Sequence, residues 1–143
     1  MRSVLLWLLA SGVACVGAEP LRVKRVVAPD YPNLARFASL QGSVRVQLEI
    51  GQHGEVLSAR ASGADKLLTQ AAEKNVLLWS FAPPPKSVSI PVRHTVLYVY
   101  KIEGKPVWDG PAPVVVLYLP DRVEITTRPL KPSIYGSPMN HRR

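Results

Sequence analysis

Between Ser43 and Ile50 the chain alternates without a break, with Val44, Val46, Leu48 and Ile50 on one parity and Ser43, Arg45, Gln47 and Glu49 on the other. Successive strand side chains point to opposite faces, so this pattern is a half-buried β-strand whose apolar face needs a covering layer. Gly51-Gln52-His53-Gly54 holds the glycines of a tight turn, and Glu55 to Ser62 resumes as a second strand. The pair predicts an antiparallel hairpin. Val56 is out of phase with Ala59 and Ala61, which predicts a bulge between them.

Two helices can supply the cover. Asp30 is a capping-type residue ahead of Tyr31-Pro32, and Leu34, Phe37 and Ala38 then recur at helical spacing until Gly42. This predicts a short helix whose apolar face lies on the sheet. Gly63-Ala64-Asp65 gives a turn and an N-cap, followed by a stripe of Leu68, Ala71, Ala72, Val76 and Trp79, so a second helix is predicted from Lys66 to Leu78. Pro83-Pro84-Pro85 then forces an extended crossing. From Val88 to Ile102 the pattern is again β, with Ile90, Val92, Val96, Tyr98 and Tyr100 on one parity. Pro91 cannot donate to a ladder, which predicts a sheet edge at that end.

The N-terminus runs from basic Arg2 through apolar Val4 to Ala10 to small residues ending at Ala18, the order of a secretory signal. Residues 1–18 are therefore expected to be a signal peptide that delivers the protein to the periplasm or beyond. Lipid attachment at Cys15 and an N-terminal membrane anchor remain the alternatives. Residues 19–27 read as an extended lead-in, with alternation around Val23. Without the signal the chain has no cysteine, so it has no disulfide framework. The formal charge of +8 favours anionic partners, but the basic residues are scattered. Nucleic acid is not expected in an exported setting.

Seven of the fourteen prolines fall between Pro106 and Pro138. Val114 to Leu119 and Arg122 to Arg128 are nevertheless strand-like on either side of Pro120-Asp121. Residues 104–129 are read as a Pro-rich segment with an extra β-hairpin, and 130–143 as a disordered basic tail.

Catalysis needs groups that converge. His53 lies in a turn, His94 in a strand and His141 in the tail, none with a second His or Cys at ligand spacing. The chain contains no Gly-x-Ser-x-Gly elbow, no His-Glu-x-x-His and no phosphate-cradling glycine loop. The expectation is a non-enzyme with no metal or cofactor. Trp79-Ser80-Phe81-Ala82-Pro83 reads as core at a helix end. What remains is an open antiparallel sheet whose last strand offers unpaired backbone groups to an extended peptide.

Tyr31-Pro32 opening a helix, Gln41-Gly42-Ser43-Val44-Arg45-Val46, Gly54-Glu55-Val56, the Leu67-Leu68 to Ala72 helix and Trp79-Ser80-Phe81-Ala82-Pro83 together resemble, in order, the TonB C-terminal domain family. The resemblance covers Ala28 to Glu103. It implies an α+β fold of αββαβ order, a three-stranded antiparallel sheet packed against two helices, to which this chain adds the C-terminal hairpin. It also implies a periplasmic protein-interaction module, related to transmembrane transport, that takes an extended segment such as that of a TonB-dependent outer-membrane receptor by strand addition. Carried over by position, the peptide-binding residues are Asp30 and Tyr31 with Val92, Arg93, His94, Thr95, Val96, Leu97, Tyr98 and Val99. Two other roles stay open: a homodimer formed through the open edge, and association of the basic surface with an anionic envelope.

Overall fold

The structure, a computed structural model, describes residues 20–63 and 65–131. The expected signal peptide and the tail beyond Lys131 lie outside those residues. The elements in chain order are β1 (Val23–Arg25), α1 (Asn33–Phe37), β2 (Gly42–Ile50), β3 (Val56–Gly63), α2 (Lys66–Val76), β4 (Ser80–Phe81), β5 (Val92–Ile102), β6 (Val114–Tyr118) and β7 (Arg122–Thr127).

The alternating octapeptide behaves as its pattern requires. Val44, Val46, Leu48 and Ile50 are fully buried, and β2 pairs antiparallel with β3 on one side and β5 on the other. The turn is closed by Gly51 N donating to Glu55 O and Gly54 N to Gly51 O. Gly54 has a φ of +81° and sits against the backbone of Phe81, so a side chain there would meet both strain and a wall. The ladder skips Leu57, which places the bulge inside the interval the sequence indicated.

Helix α2 is capped by the Asp65 carboxylate, which accepts from Leu67 N (2.8 Å) and Leu68 N (3.1 Å). It buries Leu68, Ala72, Asn75 and Val76 against the sheet, and Trp79 and Phe81 continue the same core. Ser80–Phe81 also pairs with Val23–Arg25, so the lead-in is stitched to the domain as a short second sheet.

Helix α1 departs from its expectation. Leu34 and Phe37 are exposed, and the inward face is Ala35 and Arg36. Two contacts explain the rotation. Tyr31 is anchored in the core, edge-on to Tyr100 at 5.2 Å with its hydroxyl donating to Leu40 O. Arg36 lies under the C-terminal segment, with Nε donating to Arg128 O at 3.1 Å and its carbonyl accepting from Leu130 N.

The expectation of a three-stranded antiparallel sheet is also corrected. The main sheet has five strands in the order β3-β2-β5-β7-β6 and is mixed. The C-terminal segment does form the hairpin β6–β7, but the hairpin joins the sheet, with β7 parallel to β5 from Leu97↔Arg122 to Ile102↔Thr127. Its inward residues Val123 and Ile125 are fully buried in the same core as Tyr98, Tyr100 and Phe81. The apolar alternation of β7 thus finds its partner face in the domain itself. Leu130 and Lys131, read as the start of the tail, are held by backbone bonds to Arg36 and Val107.

Candidate functional site: the edges of the sheet

Strand addition needs backbone groups that point away from the sheet, and the register shows where they are. Leu97 N donates to Asp121 O at 2.8 Å and Glu103 N to Thr127 O at 2.9 Å. Odd-numbered residues of β5 therefore turn their backbone toward β7, while even-numbered residues face β2. The ladder with β7 begins at Leu97, which leaves Arg93 and Thr95 as the outward-facing residues of the free half, Val92–Val96.

Of the residues that resemblance nominated, the structure brings Val92 to Val99 into one strand but closes the edge over Leu97, Tyr98 and Val99. Tyr98 is a core residue whose hydroxyl donates to Asn75 Oδ1 at 2.8 Å. Removing the hairpin from this edge would expose Val123 and Ile125, about 3–6 kcal/mol for the two side chains. It would also forfeit ladder bonds worth about 1 kcal/mol each. A micromolar peptide brings about 8 kcal/mol in total, so displacement of the hairpin leaves it little net affinity. The hairpin resists displacement because it supplies part of the core.

Asp30 and Tyr31 do not converge on the free half of β5. Asp30 is exposed, whereas Tyr31 reaches β5 through the core at Tyr100. Tyr100 lies four residues past Val96, about 13 Å along the strand. Burial first, with the Asp65 carboxylate adding, pushes the Tyr31 phenol up to about 12.

Alongside the free half of β5 the solvent face of the sheet forms a polar groove of about 560 Å³, lined by Gln47, Glu49, Ser58, Arg60, Arg93 and Thr95. Arg93 and Glu49 are directly opposed across the ladder, 3.6 Å apart and well solvated. His94 points to the other side, where Nε2 lies 3.3 Å from both Pro120 O and Asp121 Oδ1, tying the β6–β7 turn to β5. His53 is an exposed turn residue. Among the described residues no group of three or more His, Cys, Asp or Glu side chains is placed to hold a metal.

The other face of the site is its packing support, and here sequence reasoning missed Asn75. This buried amide accepts from Trp79 Nε1 (3.1 Å) and Tyr98 Oη (2.8 Å), and donates through Nδ2 to Val27 O (3.0 Å). One side chain thereby joins α2, the Trp-containing segment, β5 and the lead-in. Its position between Ala72 and Val76 on the buried stripe was the available signal, since a buried amide must find partners. Glu124 was likewise unremarked. The hydrogen bond from Lys101 (3.1 Å), together with the adjacent Arg122 and Lys101 charges, holds its carboxyl below the usual range.

No helix among the described residues is long and apolar enough to cross a membrane. Comparison with curated proteins and with solved structures found no significant match. A family model described as the Gram-negative bacterial TonB protein C-terminal matches residues 27–102, more than half of the 143. The matched span runs from the lead-in to the last residue of β5, and contains the Tyr31 anchor, the β2–β3 hairpin, the capped helix and the Trp79 to Phe81 core on which the fold rests. By that match the chain belongs to the TonB C-terminal domain family.

Proposed function

We propose that this protein is a periplasmic protein-interaction module that receives an extended segment of a partner, such as an outer-membrane receptor, as an added strand beside Val92–Val96. The observation that carries this reading is that the β7 ladder stops at Leu97. Arg93 and Thr95 are left with outward backbone groups next to a polar groove. Backbone bonds to those residues would give affinity, and Gln47, Arg60 and Arg93 would select polar or acidic side chains on the solvent face. A binding role is the one that the family match supports.

The test is a backbone amide titration with extended receptor-type peptides. Shifts centred on Arg93 and Thr95, with cross-strand contacts to the peptide, are expected. Shifts that instead spread over the basic surface, spare Arg93 and Thr95 and collapse between low and moderate salt would mark an envelope-association role for that surface and refute strand addition.

A further inference from the structure

We propose that the outer edge of β6 is a self-association surface, and that two copies of this chain join through it, antiparallel, into one continuous ten-stranded sheet. This rests on observations independent of the peptide reading. The main sheet has two outer edges, and they are built differently. The β3 edge is blunted by the bulge at Leu57, by the polar residues Ser58, Arg60 and Ser62, and by the Glu73 carboxylate of α2, which accepts from Ala61 N at 3.1 Å. Such devices are how sheets avoid unwanted pairing. The β6 edge has none of them. All five of its residues are apolar, it is regular in register, and Val114 and Tyr118 are more than half exposed. No charged side chain along this edge opposes the approach of another strand.

Its register is self-complementary. Because β7 turns its odd-numbered backbone toward β5, its even-numbered residues bond β6 at Val114, Val116 and Tyr118. Val115 and Leu117 therefore point their backbone groups outward. A two-fold axis at Val116 sets Val115 opposite Leu117 of the second copy and Leu117 opposite its Val115, a hydrogen-bonded arrangement on both sides of the axis. On the solvent face the same axis sets Val114 against Tyr118. On the inner face it covers Leu117, which is 41% exposed. The pairing closes on itself and stops at two, as an isologous contact must.

Charge selects a second copy as the occupant. Residues 103–131 carry four basic side chains (Lys105, Arg122, Arg128, Lys131) and four acidic ones (Glu103, Asp109, Asp121, Glu124), an even balance in a chain of net charge +8. Arg122 and Lys101 are already engaged by Glu124, and the Arg122 guanidinium lies over the Tyr118 ring. Two copies can meet at this segment without opposing their basic surfaces.

The experiment is sedimentation equilibrium of the protein over a concentration series, with amide hydrogen exchange read at Val115 and Leu117. A dimer is expected, with protection of those two amides rising with concentration. Leu117→Pro removes an outward N–H and no bond to β7, and should raise the dissociation constant about tenfold or more, since the residue occurs twice in the seam. Leu117→Lys, which places a charge on a half-exposed position, should do the same while leaving the fold intact by circular dichroism. A protein that stays monomeric at high concentration, a dimer indifferent to both variants, or open-ended assembly would each overturn the proposal. None of these outcomes bears on peptide shifts at Arg93 and Thr95.

Discussion

If β7 is part of the core, shortening Ile125 must destabilise the whole domain. Ile125 is fully buried, lies beside Tyr100 in the ladder with β5 and opposite Val115 in the hairpin. Ile125→Ala removes buried carbon atoms and leaves a cavity among rings and strands that cannot collapse far, a change that costs about 2–5 kcal/mol at such sites. For an ordered body of this size that lowers the melting temperature by about 8 °C or more. The decisive readout is Trp79, which is 2% exposed and belongs to the family-matched part of the domain rather than to the hairpin. Urea unfolding followed by Trp79 fluorescence, in a Trp108→Phe background so that a single described tryptophan reports, should show one transition displaced by the full amount. A hairpin that docks loosely predicts a different result. The Trp79 transition would stay within about 0.5 kcal/mol of its starting value while β6 and β7 amides exchanged faster, since local opening is then uncoupled from global unfolding. That outcome would refute the claim that the β5 edge is permanently closed over Leu97–Ile102, and would return the whole strand to the list of peptide sites.

Asn75→Ala leaves Trp79 Nε1 and Tyr98 Oη without their acceptor and Val27 O without its donor. At about 1–3 kcal/mol per unsatisfied buried group, a loss of about 3 kcal/mol or more in urea unfolding is expected. Tyr100→Phe should have the opposite sign, because the Tyr100 hydroxyl is buried with no hydrogen-bond partner. Its removal should leave stability unchanged or raise it by about 1 kcal/mol, and a loss larger than that would contradict the orphaned hydroxyl. The phenols of Tyr31, Tyr98 and Tyr100 are all raised, by burial first. The folded state therefore holds those protons more tightly than the unfolded state. Their contribution is full below the ordinary tyrosine value of about 10 and is lost as pH rises above it, toward and past 12. Urea midpoints measured at pH 7, 9 and 11.5 should hold steady over the first interval and fall over the second, with a smaller fall in Tyr100→Phe. Asp65→Ala removes the carboxylate cap of α2 and should cost about 1 kcal/mol by the same assay, with Asp65→Asn restoring most of it.

Much of this architecture is local in origin and could be read from short stretches of chain. The alternation from Val44 to Ile50, the two glycines of the turn, the Asp65 cap and the Leu68 to Trp79 stripe each act within one strand, one turn or one helix. Periodicity and capping depend on neighbours within four residues, so β2, β3 and α2 form within two residues of where the pattern places them, while β5 starts at Val92, after Pro91, and not at Val88. The bulge near Leu57 followed from a phase shift of the same kind. The family landmarks lie in those same elements, and the family match ends where β5 ends.

The tertiary structure decided everything that depends on which surfaces meet. The sequence contained β6 and β7, but nothing local says that β7 runs parallel beside β5. That pairing is chosen because Val123 and Ile125 find the uncovered inner face next to Tyr98 and Tyr100. The same choice turned an edge into an interior strand over Leu97–Ile102, shortened the proposed peptide site to Val92–Val96, and moved the outer edge to β6. Helix α1 shows the reverse case. Its apolar residues Leu34 and Phe37 predicted an inward face, yet the Tyr31 anchor and the C-terminal segment over Arg36 rotated them to solvent. Five residues are too few for an apolar stripe to outweigh two long-range contacts, so that helix was oriented by its neighbours and not by its own pattern.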